Sequence, residues 1–180
     1  MAEEIAPWQA FHLVWLIALT GMRRGEAERL RWSEIDFDRR CLRLSDSKTG
    51  ESIRPLGEPA QTLLRKVRAR AESGLYVFPA PRKSDDAYTG LPKAWERFIA
   101  VGGLTPHGLR HGFATMADML GMTTITIGVL LGHAGHGVTQ GYVQRIDPIL
   151  LSAADRVART ISQAITGETA VVVPLRIRSA

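Results

Sequence analysis

Apolar residues recur along the chain in blocks of helical period, separated by short turn-rich breaks. Trp8, Phe11, His12, Trp15, Leu16 and Leu19 follow the spacing of a helix face, and Leu13, Val14 and Ile17 fill the other faces. A helix apolar on all sides belongs in a core. Thr20-Gly21 ends it and delivers MRRGE, after which Gly25-Glu26 opens a second short helix predicted to reach about Trp32. The period then changes. Cys41 to Leu44 alternates, SDSKTGE supplies turn residues, and Ser52 to Leu56 alternates again, which predicts a hairpin with Lys48 at its tip. From Pro59 to about Glu72 the helical period returns. Leu63, Leu64 and Val67 form its apolar stripe, Arg65, Lys66, Arg68 and Arg70 a solvated outer face, and Gly74 a C-cap.

The second half is less regular. Pro79 to Gly90 is polar and rich in turn residues, which predicts an exposed loop, and a helix follows from about Pro92 to Ala100. Thr105-Pro106 reads as the N-cap and first position of another helix. Thr123 to Leu131 is ambiguous: its T-I-T-I alternation suits a strand, while Gly121 and Gly132 bracket a helix of the same length. Past Asp147-Pro148 a helix is predicted from Ile149 to about Ile165, with Ile149, Leu150, Leu151, Val157, Ile161 and Ile165 as its apolar residues. Gly167 and the β-prone VVVPLRIRSA close the chain, and no internal repeat appears.

Composition narrows the picture a little. A chain of 180 residues is one domain, or one and a fragment, with a single sizeable core, and its single cysteine, Cys41, fits a reducing compartment. The longest apolar run, Leu13 to Leu19, falls far short of the roughly 20 residues that span a bilayer. Lys and Arg total 23 against 18 Asp and Glu, a formal net charge of +5, which suits a polyanionic partner such as nucleic acid.

The stretch TPHGLRHGFAT carries the sharpest chemistry. His107 and His111 stand four apart, a spacing that lets two imidazoles share a metal, yet Arg110 lies on the same face and no Asp or Glu is present as a third ligand. The residues favour an anion. Cleavage of a phosphodiester by a side chain needs a nucleophile, cationic donors for the non-bridging oxygens and an acid for the leaving oxygen. Candidates stand at backbone breaks along the chain: Arg23 after a helix end, Lys48 on the hairpin tip, His107 and Arg110 at a helix start, His133 closing LLGH, and Tyr142 in TQGY.

These residues carry a resemblance. T-G-x-R-x-x-E at Thr20, Gly21, Arg23 and Glu26, S-K-T-G at Ser47 to Gly50, H-x-L-R at His107, Leu109 and Arg110, L-G-H at Leu131 to His133, and Tyr142 nine positions later stand in the order found in tyrosine recombinases of the phage integrase family. The chain resembles their catalytic domain. The resemblance implies a predominantly helical α+β fold, a small antiparallel sheet packed on a helical bundle, with 123–131 helical. It also implies a single catalytic domain over 1–180, with 1–166 the core and 167–180 a tail, lacking the helical core-binding domain that relatives place upstream.

For chemistry, the resemblance implies that Tyr142 attacks a DNA phosphate, giving a 3′-phosphotyrosyl intermediate that passes through a Holliday junction. Arg23 and Arg110 would hold the non-bridging oxygens, Lys48 would protonate the leaving 5′-oxygen, His107 would assist proton transfer, His133 would donate to phosphate, and Glu26 would orient an arginine. Neither metal, ATP nor another cofactor is expected. The expected partners are double-stranded DNA bearing a specific site, three further copies in a tetramer on DNA with a monomer alone, and accessory DNA-bending proteins. The location would be cytoplasmic, on the nucleoid when DNA-bound, with no membrane contact. Two alternatives share the fold: a type IB topoisomerase-like enzyme that relaxes DNA, and a non-catalytic DNA-binding module.

Other residues get plainer readings. Gly108 stands where relatives often have an acid; His136 reads as surface, His12 as structural, and His111 as packed or locally bonded. Arg24, one position from Arg23, faces elsewhere, toward backbone phosphate or a carboxylate. Tyr76 and Tyr88 lack a neighbouring L-G-H and read as core or loop residues. Ala170 to Ile177 is expected to add a strand to the sheet of the Lys48 hairpin.

Overall fold

Thirteen residues without a helix breaker, Trp8–Thr20, form α1, and this is the helix around which the molecule is built. The computed structural model describes residues 6–47, 50–70, 74–99, 105–133 and 147–167; the side chains of 45–47, 50–51, 84 and 98–99 are not among those described. Leu13, Leu16 and Ile17 are fully buried, and α1 packs on α3 (Glu58–Arg70), α5 (Pro106–Met119) and α7 (Pro148–Thr166). Two apolar clusters result. The larger joins α1 and α3 to the sheet through Leu42, Leu44, Leu56, Leu64 and Phe78; the smaller joins α5, α6 (Thr124–Leu131) and α7 through Phe113, Leu130, Leu131, Ala154 and Val157.

The sheet is small and antiparallel, ordered β1 (Ile35–Asp36), β2 (Cys41–Ser47), β3 (Gly50–Pro55). Leu42 faces Arg54 and Leu44 faces Ser52 across β2 and β3. The hairpin is where the alternation places it; its tip, Lys48 and Thr49, lies outside the described residues. The fold is thus the predicted one, mostly helical with small antiparallel sheets.

Several elements differ from their sequence reading. The second helix, α2, covers only Arg24–Glu28, and Trp32–Glu34 makes a separate 3₁₀ turn. Tertiary pairing wins here: Val77 N–H donates to the Leu30 carbonyl at 2.9 Å, Trp32 N–H donates to the Leu75 carbonyl at 3.2 Å, and Arg31 bridges to Tyr76. Residues 79–90, expected as a loop, contain a two-stranded hairpin of β4 (Pro79–Ala80) and β5 (Lys83–Ala87). Its polar composition reflects exposure on an edge, while Tyr88 and Leu91 anchor its base in the core. α4 then spans Leu91–Ile99.

Thr123 to Leu131 is helical. The Thr123 hydroxyl accepts from Thr126 N–H, Gly132 closes the far end at φ +67°, and only Val129, Leu130 and Leu131 are buried, so the T-I-T-I alternation falls on a largely solvated first turn. In α7 the inward face is Leu150, Ala153, Ala154, Val157 and Ala158; Ile149 and Ile165, counted among its apolar residues, point to solvent. The basic face of α3 is not simply solvated. Arg65 lies over Phe37 at 5.4 Å, Arg68 over Trp32 at 5.6 Å and Arg70 over Trp8 at 5.6 Å, cation–π contacts that tie this helix to its neighbours. Among the described residues, no helix is long and apolar enough to cross a membrane.

Candidate active site

Arg110 is the centre of the site, and the reason is that two helices end where a third begins. Thr105 caps α5, its hydroxyl accepting from Gly108 N–H at 2.9 Å with Pro106 next, and this fixes the first turn carrying His107 and Arg110. The Arg110 side chain runs inward and is 7% exposed. Its Nη1 donates to the Gly21 carbonyl at 2.5 Å, and its Nη2 donates to the Leu131 carbonyl at 3.1 Å and to His133 Nε2 at 3.0 Å. Gly21 follows the last residue of α1 and Leu131 ends α6, so one guanidinium satisfies two helix C-termini, where carbonyls lack partners and the dipole is negative. Burial, with help from the Arg23 and Arg54 charges, lowers Arg110 to about 10, which leaves it cationic at neutral pH.

Both motif glycines belong to this construction. Gly21 sits at φ +63°, and a methyl there would meet Leu131 Cδ2 at 2.7 Å and the Phe113 ring at 2.8 Å; Gly132 sits at φ +67°, and its methyl would fall 1.9 Å from Arg54 Nε. His133 follows directly. Arginine has no acceptor, so His133 Nε2 accepts from Arg110 and the neutral ring carries its proton on Nδ1. Burial first, then the Arg110, Arg23 and Arg54 charges, push the imidazole below its ordinary value.

Arg23 is held differently. It is the N-cap of α2, and Glu26 reaches back to it: Glu26 Oε2 accepts from Arg23 N–H at 2.8 Å and Oε1 from Arg23 Nη1 at 2.9 Å. Glu26 is thus bonded to Arg23, and it has a second, buried arginine partner. Arg54 Nη1 and Nη2 donate to the two carboxylate oxygens at 2.9 and 2.8 Å. Burial alone would raise Glu26; the Arg54 hydrogen bonds and charge, then Arg23, override it and hold the carboxyl at about 2.

Arg23, Arg24, His107 and Arg110 line one open cleft of about 350 Å³ with Met22, Thr105 and Pro106. Arg24, expected to face away from Arg23, lines the same cleft, and its Nε stands 3.9 Å from Glu28, one of the two kinds of contact expected for it. His107 Nε2 lies 2.9 Å from His111 Nε2, so one ring donates to the other, and among the described residues no cluster of three His, Cys, Asp or Glu side chains could hold a metal ion. His12 is structural, buried with Nδ1–H donating to the Trp8 carbonyl at 2.7 Å. Tyr76 lies under Arg31, and Tyr88 is buried in the core, where burial pushes its hydroxyl up. Neither lines the cleft. Lys48, Tyr142, His136 and the tail 168–180 lie outside the described residues.

Arg54 is the residue that sequence reasoning missed. Reading the alternation of Ser52 to Leu56 as apolar-inward would bury Ile53 and expose Arg54; the reverse holds, with Ser52, Arg54 and Leu56 inward and Arg54 1% exposed. The available signal was an arginine two residues from a serine and two from a leucine on one strand face.

Comparison with known proteins supplies the family and the fold. The model of the phage integrase family matches residues 5–147, and the chain belongs to that family, the tyrosine recombinases. It is 29% identical over 87% of its length to tyrosine recombinase XerA of Pyrococcus furiosus. Among solved structures it resembles the integrase from mycobacterium phage Brujita, with a TM-score of 0.64 at 18% identity over 86% of this chain and 56% of that one. It also resembles XerH site-specific recombinase bound to difH substrate, with a TM-score of 0.55 at 24% identity over 81% of this chain and 45% of that one. These two likenesses concern the fold. The chain spans only part of the length of the curated relatives it matches, from 29% of prophage integrase IntF of Escherichia coli to 57% of that XerA.

Proposed function

We propose that this chain is the strand-transfer domain of a site-specific DNA recombinase or integrase, acting on double-stranded DNA by transesterification. The observation that carries the reading is the convergence of Arg23, His107 and Arg110 on one cleft, with His133 hydrogen-bonded to Arg110 behind it. Tyr142 supplies the nucleophile: its oxygen forms a bond to phosphorus as the bond to the 5′-oxygen breaks, leaving a 3′-phosphotyrosyl ester and a 5′-hydroxyl. The phenol proton leaves toward His107, and Lys48 gives a proton to the departing 5′-oxygen. Attack by another strand's 5′-hydroxyl reverses the step, so the ester conserves the bond energy.

The arginines act on charge. Arg23 and Arg110 both line the cleft, and charge-assisted hydrogen bonds from fixed guanidiniums favour the negative charge that builds on the non-bridging oxygens of a phosphate bound there. His133 donates through Nδ1 while Nε2 remains on Arg110. Three guanidiniums, Arg23, Arg54 and Arg110, against the one carboxylate of Glu26 give the site a standing excess of positive charge. On DNA, we further propose a tetramer of such protomers.

A pool of nicked duplexes of randomised sequence tests the reading. The chain should form an adduct that survives detergent and forms equally in EDTA, and Tyr142→Phe should form none while still binding DNA. Adduct mapped to Tyr76 or Tyr88 would remove Tyr142 from its role, and binding without any adduct would favour the non-catalytic module. Relaxation of supercoiled DNA without a preferred sequence would favour the topoisomerase-like alternative.

A further inference from the structure

Arg54 cannot touch DNA. It is 1% exposed, its Nε donates to Ser52 Oγ at 3.1 Å, its two Nη groups are spent on Glu26, and Gly132 covers it so closely that no side chain fits there. An arginine so enclosed needs a reason, because burying a guanidinium is costly unless it is paired and hydrogen-bonded. Its contacts join three separate parts of the site. β3, which carries it, is one arm of the hairpin that leads to Lys48; Glu26 holds Arg23; Gly132 immediately precedes His133.

Charge adds a second consequence. A carboxylate bonded to Arg23 alone would form an ordinary ion pair and compete with any phosphate for that guanidinium. Here the Arg54 fork takes one hydrogen bond on each Glu26 oxygen, and only Arg23 Nη1 shares the carboxylate from the Arg23 side chain. Arg23 is half-buried at the cleft, 30% of its side chain exposed, and its other guanidinium hydrogens have no partner among the described residues.

We propose that Arg54 is a positioning residue: it neutralises Glu26 from behind, so that Glu26 fixes the direction of Arg23 without cancelling its charge toward a bound phosphate. It also holds the hairpin and the Gly132–His133 corner in register with α2. This rests on the cleft being a phosphate site and not on the transfer chemistry, and the two are separable by experiment.

The test titrates inorganic phosphate into the full chain and follows the ¹⁵N–¹H signals of the Arg23 side chain, with thermal unfolding of every variant alongside. Arg54→Met should weaken phosphate binding at Arg23 by about tenfold, the scale of one charge-assisted hydrogen bond, because Glu26 then turns its full charge on Arg23. Glu26→Gln added to Arg54→Met should recover most of that affinity. Arg54→Lys keeps the charge but loses the fork, provides a second variant less disruptive to folding, and should weaken binding about threefold.

A merely structural arginine predicts no recovery in the double variant. If Arg54→Met/Glu26→Gln binds phosphate no better than Arg54→Met, or if Arg54→Lys matches the parent, the proposal fails. It also fails if phosphate leaves the Arg23 signals of the parent chain unmoved. The adduct assay reports separately: a chain that binds phosphate in this pattern yet forms no adduct has lost the recombinase reading and kept this one.

Discussion

The two cleft arginines are held by opposite means. Arg110 is anchored on backbone carbonyls at the ends of α1 and α6, groups that never titrate, whereas Arg23 is anchored on the Glu26 carboxylate, which does. One half of the site is therefore built from helix ends and the other from charge. The helix-end half should be indifferent to pH except at His133. The charged half should depend on it.

The largest effect belongs to the helix-end half. Arg110→Ala leaves the Gly21 and Leu131 carbonyls buried without their donor and opens a cavity, and it should cost about 3–5 kcal/mol in urea unfolding. Arg110→Lys should recover part of that stability, yet lower adduct formation by about a hundredfold, since an ammonium lacks the planar fork. A loss of under about 1 kcal/mol for Arg110→Ala would mean that water caps both helices as well as the guanidinium does.

Next in size is the acid response of the charged half. Glu26 stands at about 2 in the folded chain against 4.5 unperturbed, so the folded state binds this proton less well than the unfolded one. Its contribution is fully present above pH 4.5 and is lost as pH falls from there toward 2, about 3 kcal/mol in all. The difference between the parent and Glu26→Gln in acid unfolding should show this loss. His133 is lowered too, so its share of stability is present above 6.5 and declines as pH falls below it; His133→Gln should remove that earlier step. Parallel acid curves for parent and Glu26→Gln would erase the contrast between the halves.

Gly132 lies where the halves meet. Gly132→Ala should cost about 2–3 kcal/mol, part from the left-handed backbone and part from collision with Arg54. In an Arg54→Ala background only the backbone part, about 1 kcal/mol, should remain, which a double-mutant cycle measures directly. The smallest effect is the α5 cap: Thr105→Ala should cost about 1 kcal/mol in urea unfolding, and Thr105→Ser should restore it.

Legibility from sequence followed the same division. Local signals were readable: Thr105-Pro106 at the start of α5, Asp147-Pro148 at the start of α7, and the glycines after α1 and α6 each satisfy a helix end through nearby atoms. The ordered motifs named Arg23, Glu26, His107, Arg110 and His133, and the fold brings these into one region. What sequence did not show depends on long-range partners. Arg54 is inward because Glu26 meets it from 28 residues away, the second helix stops early because residues 75–77 pair with 30–32, and Ile149 faces water because α7 offers Leu150 and Ala153 to the core instead. A pattern of apolar and polar positions carries no record of such partners.

The aromatic seats under the α3 arginines change what the net charge of +5 means. Arg65, Arg68 and Arg70 each count toward it, yet each is fixed over a ring of this chain, Phe37, Trp32 or Trp8, in an orientation chosen by packing. Binding to duplex DNA releases counterions in proportion to the phosphates actually neutralised, about 0.9 ion per phosphate. Guanidiniums that stay on their rings add to the distant attraction that draws DNA in and release nothing on contact. The steepness with which affinity falls as salt rises will therefore count the arginines of the cleft, and it will be shallower than the formal charge of the chain suggests.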